Sequence, residues 1–174
     1  MAVKHGGKTS MSSFSVKLDK ERPCRYVFLS HLWNVKQNRF GSAVPVLLDT
    51  GSFNTIIHKA LVTNHGIMLP KMMKTSVGGY KGEAHICIIY KMQLNGHVLE
   101  NVVALAVPFE GELKDHILLG ANVTNNWKLT LSRFENIMDV EEQFSETALQ
   151  RKYPYRYCYN NKGQVIAFQA LEND

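Results

Sequence analysis

Short apolar runs separated by glycine, proline and asparagine turns organise this chain. The clearest pattern lies between residues 86 and 107. Ile86, Ile88, Tyr90, Met92 and Leu94 alternate along one face, and Asn95-Gly96 is a two-residue hairpin signal. Val98 to Val107 returns as the second strand, with Leu99, Val103, Leu105 and Val107 on one side, until Pro108 stops it. Upstream, Arg25 to Trp33 is rich in aromatic and branched residues and predicts a strand. Asn34 to Ser42 is a polar loop, Ala43 to Leu48 returns as the next strand, and Phe14 to Leu18 predicts an earlier strand at an edge. Thr55 to Ile57 predicts a short strand, and His58 to Gly66 a helical turn that Gly66 ends. Lys74 to Gly82 carries three glycines and reads as a mobile hairpin tip. A phosphate-cradling loop is the rival reading there, but no Gly-Lys-Ser/Thr follows and no helix start is evident.

Past Pro108, Glu110 to Asp115 is a polar loop and Ile117 to Leu119 a strand. Ala121 to Asn126 predicts a short helix, and Trp127 to Leu131 a last core strand. Phe134, Ile137 and Met138 then have helix spacing over too few turns to define a helix, and the acidic stretch Glu135 to Glu146 reads as exposed. Tyr153, Tyr155, Tyr157 and Tyr159 alternate onto one strand face, Pro154 marks an edge strand, and Gln164 to Ala170 returns after a turn at Asn160 to Gly163. Four rings in a row are expected to pack on the main body or on a partner subunit. The elements predict an all-β chain. Residues 1–13 form a flexible tail, 14–131 the main domain, and 132–174 a C-terminal β-hairpin extension packed on that domain.

Composition narrows the classes. The 174 residues suit one domain with a real core, and the apolar content argues against overall disorder. The longest apolar runs, such as Val102 to Val107, are far too short to span a bilayer. The formal net charge of +5 is spread along the chain, so neither a membrane surface nor a dedicated nucleic-acid reader is indicated. Cys24, Cys87 and Cys158 lie far apart without a Cys-x-x-Cys, and the N-terminus lacks an apolar signal core, so reduced thiols and a cytoplasmic protein are expected. Seven scattered histidines include no pair with plausible metal spacing, and no metal or organic cofactor is expected.

The chemistry concentrates at Val44-Pro45-Val46-Leu47-Leu48-Asp49-Thr50-Gly51-Ser52. A run that reads as a strand buried on both faces ends abruptly in one acid. A carboxylate there is expensive unless it is hydrogen-bonded or has a chemical role. Gly51 permits a tight turn and a close approach of its N–H, while Thr50 and Ser52 supply hydroxyls to hold the acid. A buried acid that merely caps the turn is the plainer alternative. Downstream, His116-Ile117-Leu118-Leu119-Gly120-Ala121-Asn122 is another apolar strand ending in glycine.

This pair of motifs resembles the retropepsin-like aspartic proteases over about residues 25 to 131. The resemblance implies a closed acid-protease barrel with one short helix after the Leu-Leu-Gly strand. It implies Asp49 as the catalytic residue, Thr50, Gly51 and Ser52 as its loop, and Ser52 as a hydrogen-bond donor to the catalytic carboxylate. Val77, Gly78, Gly79 and Tyr80 lie where that family carries its substrate-binding flap. Carboxylate-driven peptide hydrolysis needs two acids, one accepting a proton from water and one donating to the scissile carbonyl. The chain has one Asp-Thr-Gly. A two-fold homodimer in which Asp49 meets Asp49 is therefore the economical solution, with a polypeptide as substrate. The alternatives are a non-catalytic module of the same fold, used for dimerisation or peptide binding, and an unrelated β-barrel binding protein with an accidental motif.

Overall fold

Alternation of apolar residues is realised as strands along most of the chain, in a computed structural model that describes residues 10–77, 79–125, 127–144, 155–159 and 165–170. In order these are β1 (Ser10–Lys17), β2 (Val27–Asn34), β3 (Arg39–Leu48), β4 (Thr55–His58), helix α1 (Lys59–His65), β5 (Gly66–Val77), β6 (Tyr80–Leu94), β7 (His97–Val107), β8 (Ile117–Leu119), helix α2 (Ala121–Thr124), β9 (Trp127–Ser132), β10 (Ile137–Phe144), β11 (Tyr155–Tyr159) and β12 (Val165–Ala170). Hydrogen bonding runs β2-β3-β8-β4-β7-β6 and returns from β6 to β2 through His31↔Gln93 and Leu32↔Met92. Six strands thus close a barrel, as the resemblance implies. The all-β expectation holds, with α1 joining α2 as a second short helix.

β6 does two jobs on one edge. Its first part pairs with β5, and its last residues pair with β2. β5 therefore lies outside the closed ring, and with β6 it forms a long hairpin arm. The sequence predicts only the tip of that arm. Pro70 and a register shift between Met68 and Met72 interrupt β5, so its first half carries no clean alternation. Gly66 ends α1 as expected, but not through a left-handed turn, for its backbone is extended. A side chain there would collide with the Ile88 carbonyl, so close strand packing explains the glycine.

The faces of the β6–β7 hairpin differ from the expected pattern. Leu99 shares a core with Val102, Ala104 and Ala106, whereas Val103, Leu105 and Val107 belong to a second core. On β6, Ile86 and Ile88 likewise part company with Met92 and Leu94. The crossover falls at Asn101, whose φ of 53° is left-handed, between the pairs Ile89↔Val102 and Lys91↔Glu100. Both strands change face at this level without a shift in register. Barrel strands are accordingly buried on both sides: Ile117 and Leu119 point to one core and Leu118 to the other.

A separate three-stranded sheet, ordered β1-β10-β9, contributes Val16, Met138 and Val140 to the first core. β1 pairs with β10 along its whole length. Trp127 to Leu131, expected as a last core strand, forms an outer strand of this sheet, and Trp127 and Leu129 pack against the first core. The stretch expected to be exposed and acidic, with Phe134, Ile137 and Met138 at helix spacing, holds the central strand β10. Met138, Val140 and Glu142 alternate inward, and the inward glutamate disguises the pattern. Glu142 is 2% exposed, accepts from Trp127 Nε1 at 2.8 Å and lies 3.5 Å from His97 Nε2. Phe14 stacks on His97 with ring centroids 4.2 Å apart. Asn95 Nδ2, from the same turn as His97, donates to the Ser15 carbonyl at 2.8 Å. These contacts latch the small sheet to the barrel. β11 and β12 pair antiparallel as the expected hairpin, with Tyr155↔Ala170 and Tyr157↔Phe168. Tyr153, Pro154 and residues 160–164 lie outside the described residues.

Asn101 provides a test. Asparagine tolerates left-handed backbone and a β-branched residue does not. Its Oδ1 makes no hydrogen bond, so the side chain adds little of its own. Asn101→Val should lower stability by about 1–3 kcal/mol, and Asn101→Gly by less. Urea midpoints of the two variants against wild type check this.

Candidate active site

The site begins with two parallel strands. β3 and β8 run side by side through Val46↔Ile117, Leu47↔Leu118 and Leu48↔Leu119, so their ends deliver Asp49 and Gly120 together. Asp49 N–H donates to the Leu119 carbonyl at 3.0 Å, and Ser52 N–H donates to the Asp49 carbonyl at 3.2 Å, closing the turn. The next residues stitch the loops together: Ala121 N–H donates to the Ser52 carbonyl and Asn122 N–H to the Phe53 carbonyl, each at 2.8 Å. Gly120 lies against that backbone. A Cβ there would collide with Asn54 and stand 2.8 Å from the Phe53 oxygen. Only glycine lets the two loops meet.

Asn122 locks the joint. Its Oδ1 accepts from Thr55 N–H at 2.9 Å and from Thr55 Oγ1 at 2.7 Å, while its Nδ2 donates to the Val103 carbonyl at 2.8 Å. Thr55 Oγ1 in turn accepts from Gly120 N–H at 3.1 Å. One buried carboxamide thus joins α2, β4 and β7 directly beneath the Asp49 loop.

Asp49, Thr50, Gly51 and Ser52 lie together in one loop, as expected. Asp49 is half-buried, and Thr50 and Gly51 are exposed. One detail differs from expectation. Ser52 Oγ donates to the Asn54 carbonyl at 2.9 Å rather than to the acid, because the turn places that carbonyl two residues ahead. Gly51 is not among the described glycines with positive φ, so it does not supply left-handed backbone to the turn. Its alpha-carbon instead faces the acid: a Cβ there would stand 3.6 Å from Asp49 Oδ1. Among the described residues the Asp49 carboxylate has no hydrogen-bond or ionic partner.

Val77 and Tyr80 form the last pair of the β5–β6 arm, with Gly79 at φ +82° in its turn; Gly78 lies outside the described residues. The Tyr80 hydroxyl donates to the Glu83 carbonyl at 2.7 Å, folding the ring back over Gly82. Residues 70–74 are exposed on both faces of the arm. Among the described residues no group of three or more His, Cys, Asp or Glu side chains could hold a metal ion.

Sequence reasoning missed Thr55 and Asn122 as site residues. Asn122 was visible as a polar residue directly after an apolar strand, yet its partners lie 19 and 67 residues away. It also missed His116, which is 3% exposed immediately before β8 and accepts from Arg22 Nη1 at 2.6 Å through Nε2. Burial holds the imidazole below its ordinary range, and Arg22 and Arg25 push the same way against Asp115 and Glu112.

Two outcomes follow. Asn122→Ala strands the buried Thr55 amide and the Val103 carbonyl and should cost about 2–4 kcal/mol, whereas Thr55→Val keeps the Thr55 amide bonded to Asn122 but strands the buried Gly120 N–H and should cost about 1–3 kcal/mol; chemical denaturation of both variants checks the two losses. His116 is neutral in the fold, so the unfolded chain takes its proton first. Stability should therefore fall as pH drops below about 6.5. In His116→Gln, which keeps an acceptor for Arg22, melting temperature should decline less between about pH 6.5 and 5 than in wild type.

Comparison with known families matches residues 35–126 to the family described as "gag-polyprotein putative aspartyl protease". Among solved structures, a retropepsin-like aspartic protease from Rickettsia conorii matches at a TM-score of 0.48 and 12% identity, covering 78% of this chain and 95% of that one. No curated protein matches the chain. The family match runs from the turn after β2 to the end of α2, more than half of the chain, and includes the Asp49 loop, the β5–β6 arm and Gly120. With that span and a closed all-β barrel, the chain belongs to the gag-polyprotein aspartyl protease family, of the retropepsin-like kind.

Proposed function

We propose that two copies of this chain form an aspartic endopeptidase in which their Asp49 carboxylates face each other across a two-fold axis. The observation that carries this reading is Asp49 itself. Its backbone is held by Leu119 and by the turn through Ser52, while its carboxylate is left open among the described residues. An acid held firmly at its base and free at its tip suits chemistry better than structure. One such acid cannot act as base and acid at once, so a second copy supplies the other.

Two carboxylates about 3 Å apart share one proton. The ionised one takes a proton from water as the water oxygen bonds to the scissile carbonyl carbon. The protonated one gives its proton to the carbonyl oxygen. Collapse of this tetrahedral intermediate breaks the C–N bond, the amide nitrogen leaves with a proton, and the dyad again holds one. The bond from Asp49 N–H to the Leu119 carbonyl, backed by the Gly120–Thr55 bond beneath the loop, keeps each acid in place without reorganisation. In this reading the arm tip at Val77, Gly78, Gly79 and Tyr80 covers an extended polypeptide, excluding water and pairing by main-chain hydrogen bonds.

Asp49→Asn provides the test. The amide is nearly isosteric and leaves the backbone bonds intact, so fold and assembly should persist. It cannot accept a proton from water, so cleavage of an unfolded protein should fall by about 10²–10⁴-fold or more. Undiminished, statine-sensitive cleavage by the pure Asp49→Asn protein would refute the assignment.

A further inference from the structure

We propose that Arg22 and His116 are positioning residues for the Asp49 site: their contact clips a strap, residues 108–116, beside the substrate, and a proton on His116 undoes the clip. The proposal rests on the peptidase reading of that site.

The strap joins β7 to β8. Two turns fold it on itself: Lys114 N–H donates to the Gly111 carbonyl at 3.2 Å, and His116 N–H to the Leu113 carbonyl at 2.9 Å. Its apolar residues go inward. Phe109 is 1% exposed within the second core, and Leu113 packs against that core. Leu118 belongs to the same core, and Leu47, Val77 and Tyr80 pack against it. Leu47 stands two residues before Asp49, Leu118 two before Gly120, and Val77 and Tyr80 are the last pair of the arm. One apolar cluster thus joins the acid-bearing strand, the arm tip and the strap. A polypeptide held between arm and acid meets whatever shape the strap gives that cluster.

Two polar contacts tie the strap to the segment before β2. Arg25 Nη1 reaches Glu112 Oε1 at 3.4 Å, but both side chains are open to solvent, and such a pair contributes little. The buried contact is the one between Arg22 Nη1 and His116 Nε2. Asp19 Oδ2, 3.6 Å from Arg22 Nε, steadies the guanidinium. A guanidinium only donates, so Nε2 accepts and the neutral ring carries its hydrogen on Nδ1. Nδ1 is buried without a hydrogen-bond partner among the described residues. A second proton therefore has one place to go, Nε2, where it meets the Arg22 hydrogens. Clip and imidazolium exclude each other. The charged groups around the ring are Arg22 and Arg25 before β2 and Asp115 and Glu112 on the strap; burial and the two arginines outweigh the two acids and keep the ring neutral. An open strap restores an ordinary histidine, which takes its proton at about pH 6.5. Opening is therefore favoured as pH falls below about 6.5, by up to about tenfold per pH unit, until the closed form is protonated as well.

The test reads the strap and the substrate separately. Hydrogen exchange of the full chain, in an Asp49→Asn background and corrected for the intrinsic effect of pH, follows the amides of residues 109–116. Kinetics of the active chain on a peptide substrate follow KM and kcat between about pH 7.5 and 5. With the His116 side chain intact, strap exchange should quicken about fivefold or more as pH falls from about 7 to 5.5, and KM should rise about threefold or more. His116→Gln keeps an acceptor for Arg22 but takes no proton, so strap exchange and KM should lose that pH dependence while kcat keeps the wild-type profile. Arg22→Met should show fast strap exchange and a raised KM already at neutral pH. Strap exchange that quickens equally in His116→Gln overturns the clip, whatever activity does. A ratio of wild-type to His116→Gln KM that stays constant with pH, in an active enzyme, overturns the positioning role. A wild type that cleaves nothing at any pH removes the peptidase reading, and the positioning role with it, whatever the exchange shows.

Discussion

One buried carboxamide holds the functional end of this fold together. Asn122 satisfies the amide and hydroxyl of Thr55 and the carbonyl of Val103, and Thr55 passes the link on to Gly120. Inside a core such bonds are strong, and an unpaired member would be costly, so the arrangement is close to all-or-none. It ties the helix after β8 to the two next strands of the barrel, β4 and β7. The loop carrying Asp49 then has little freedom, because Ser52 and Phe53 are bonded to the first residues of that helix. Rigidity at the acid is inherited from a polar contact several residues away.

The small sheet depends on a similar device. Glu142 is buried with Trp127, His97 and Ser12 around its carboxylate, and Phe14 stacks on the imidazole. Apolar packing by Met138 and Val140 supplies non-directional cohesion, and the polar group fixes register between β10, β9 and the β6–β7 turn. Two polar joints in otherwise apolar surroundings thus set where each layer sits.

Much of this was legible in the chain. Asn95-Gly96 marked its hairpin, Pro108 ended β7, and the acid at the end of an apolar run marked Asp49. These signals are local, so a sequence carries them openly. What it concealed has a physical reason in each case. Pro70 and the register shift broke the period of β5. The inward glutamate gave β10 a polar residue at a buried position. β6 and β7 both pass from one core to the other near Asn101, so no single alternation describes either strand. Asn122 works through partners that are near only after folding. The hydroxyl of Ser52 had two acceptors within reach, and composition could not choose between them.

β6 is a shared beam. From His85 to Leu94 it braces β7, while its opposite edge serves the arm first and the barrel seam afterwards. A load applied at Val77 or Tyr80 therefore travels down the same strand that closes the barrel at Leu32 and Met92. Where the β5 ladder lapses between Met68 and Met72, β6 is still braced by β7 and His85 Nδ1 reaches the Leu69 carbonyl, whereas residues 80–84 pair with β5 alone, so bending is opposed least beyond the gap. Deflection is absorbed above that gap, and the barrel seam below it is spared.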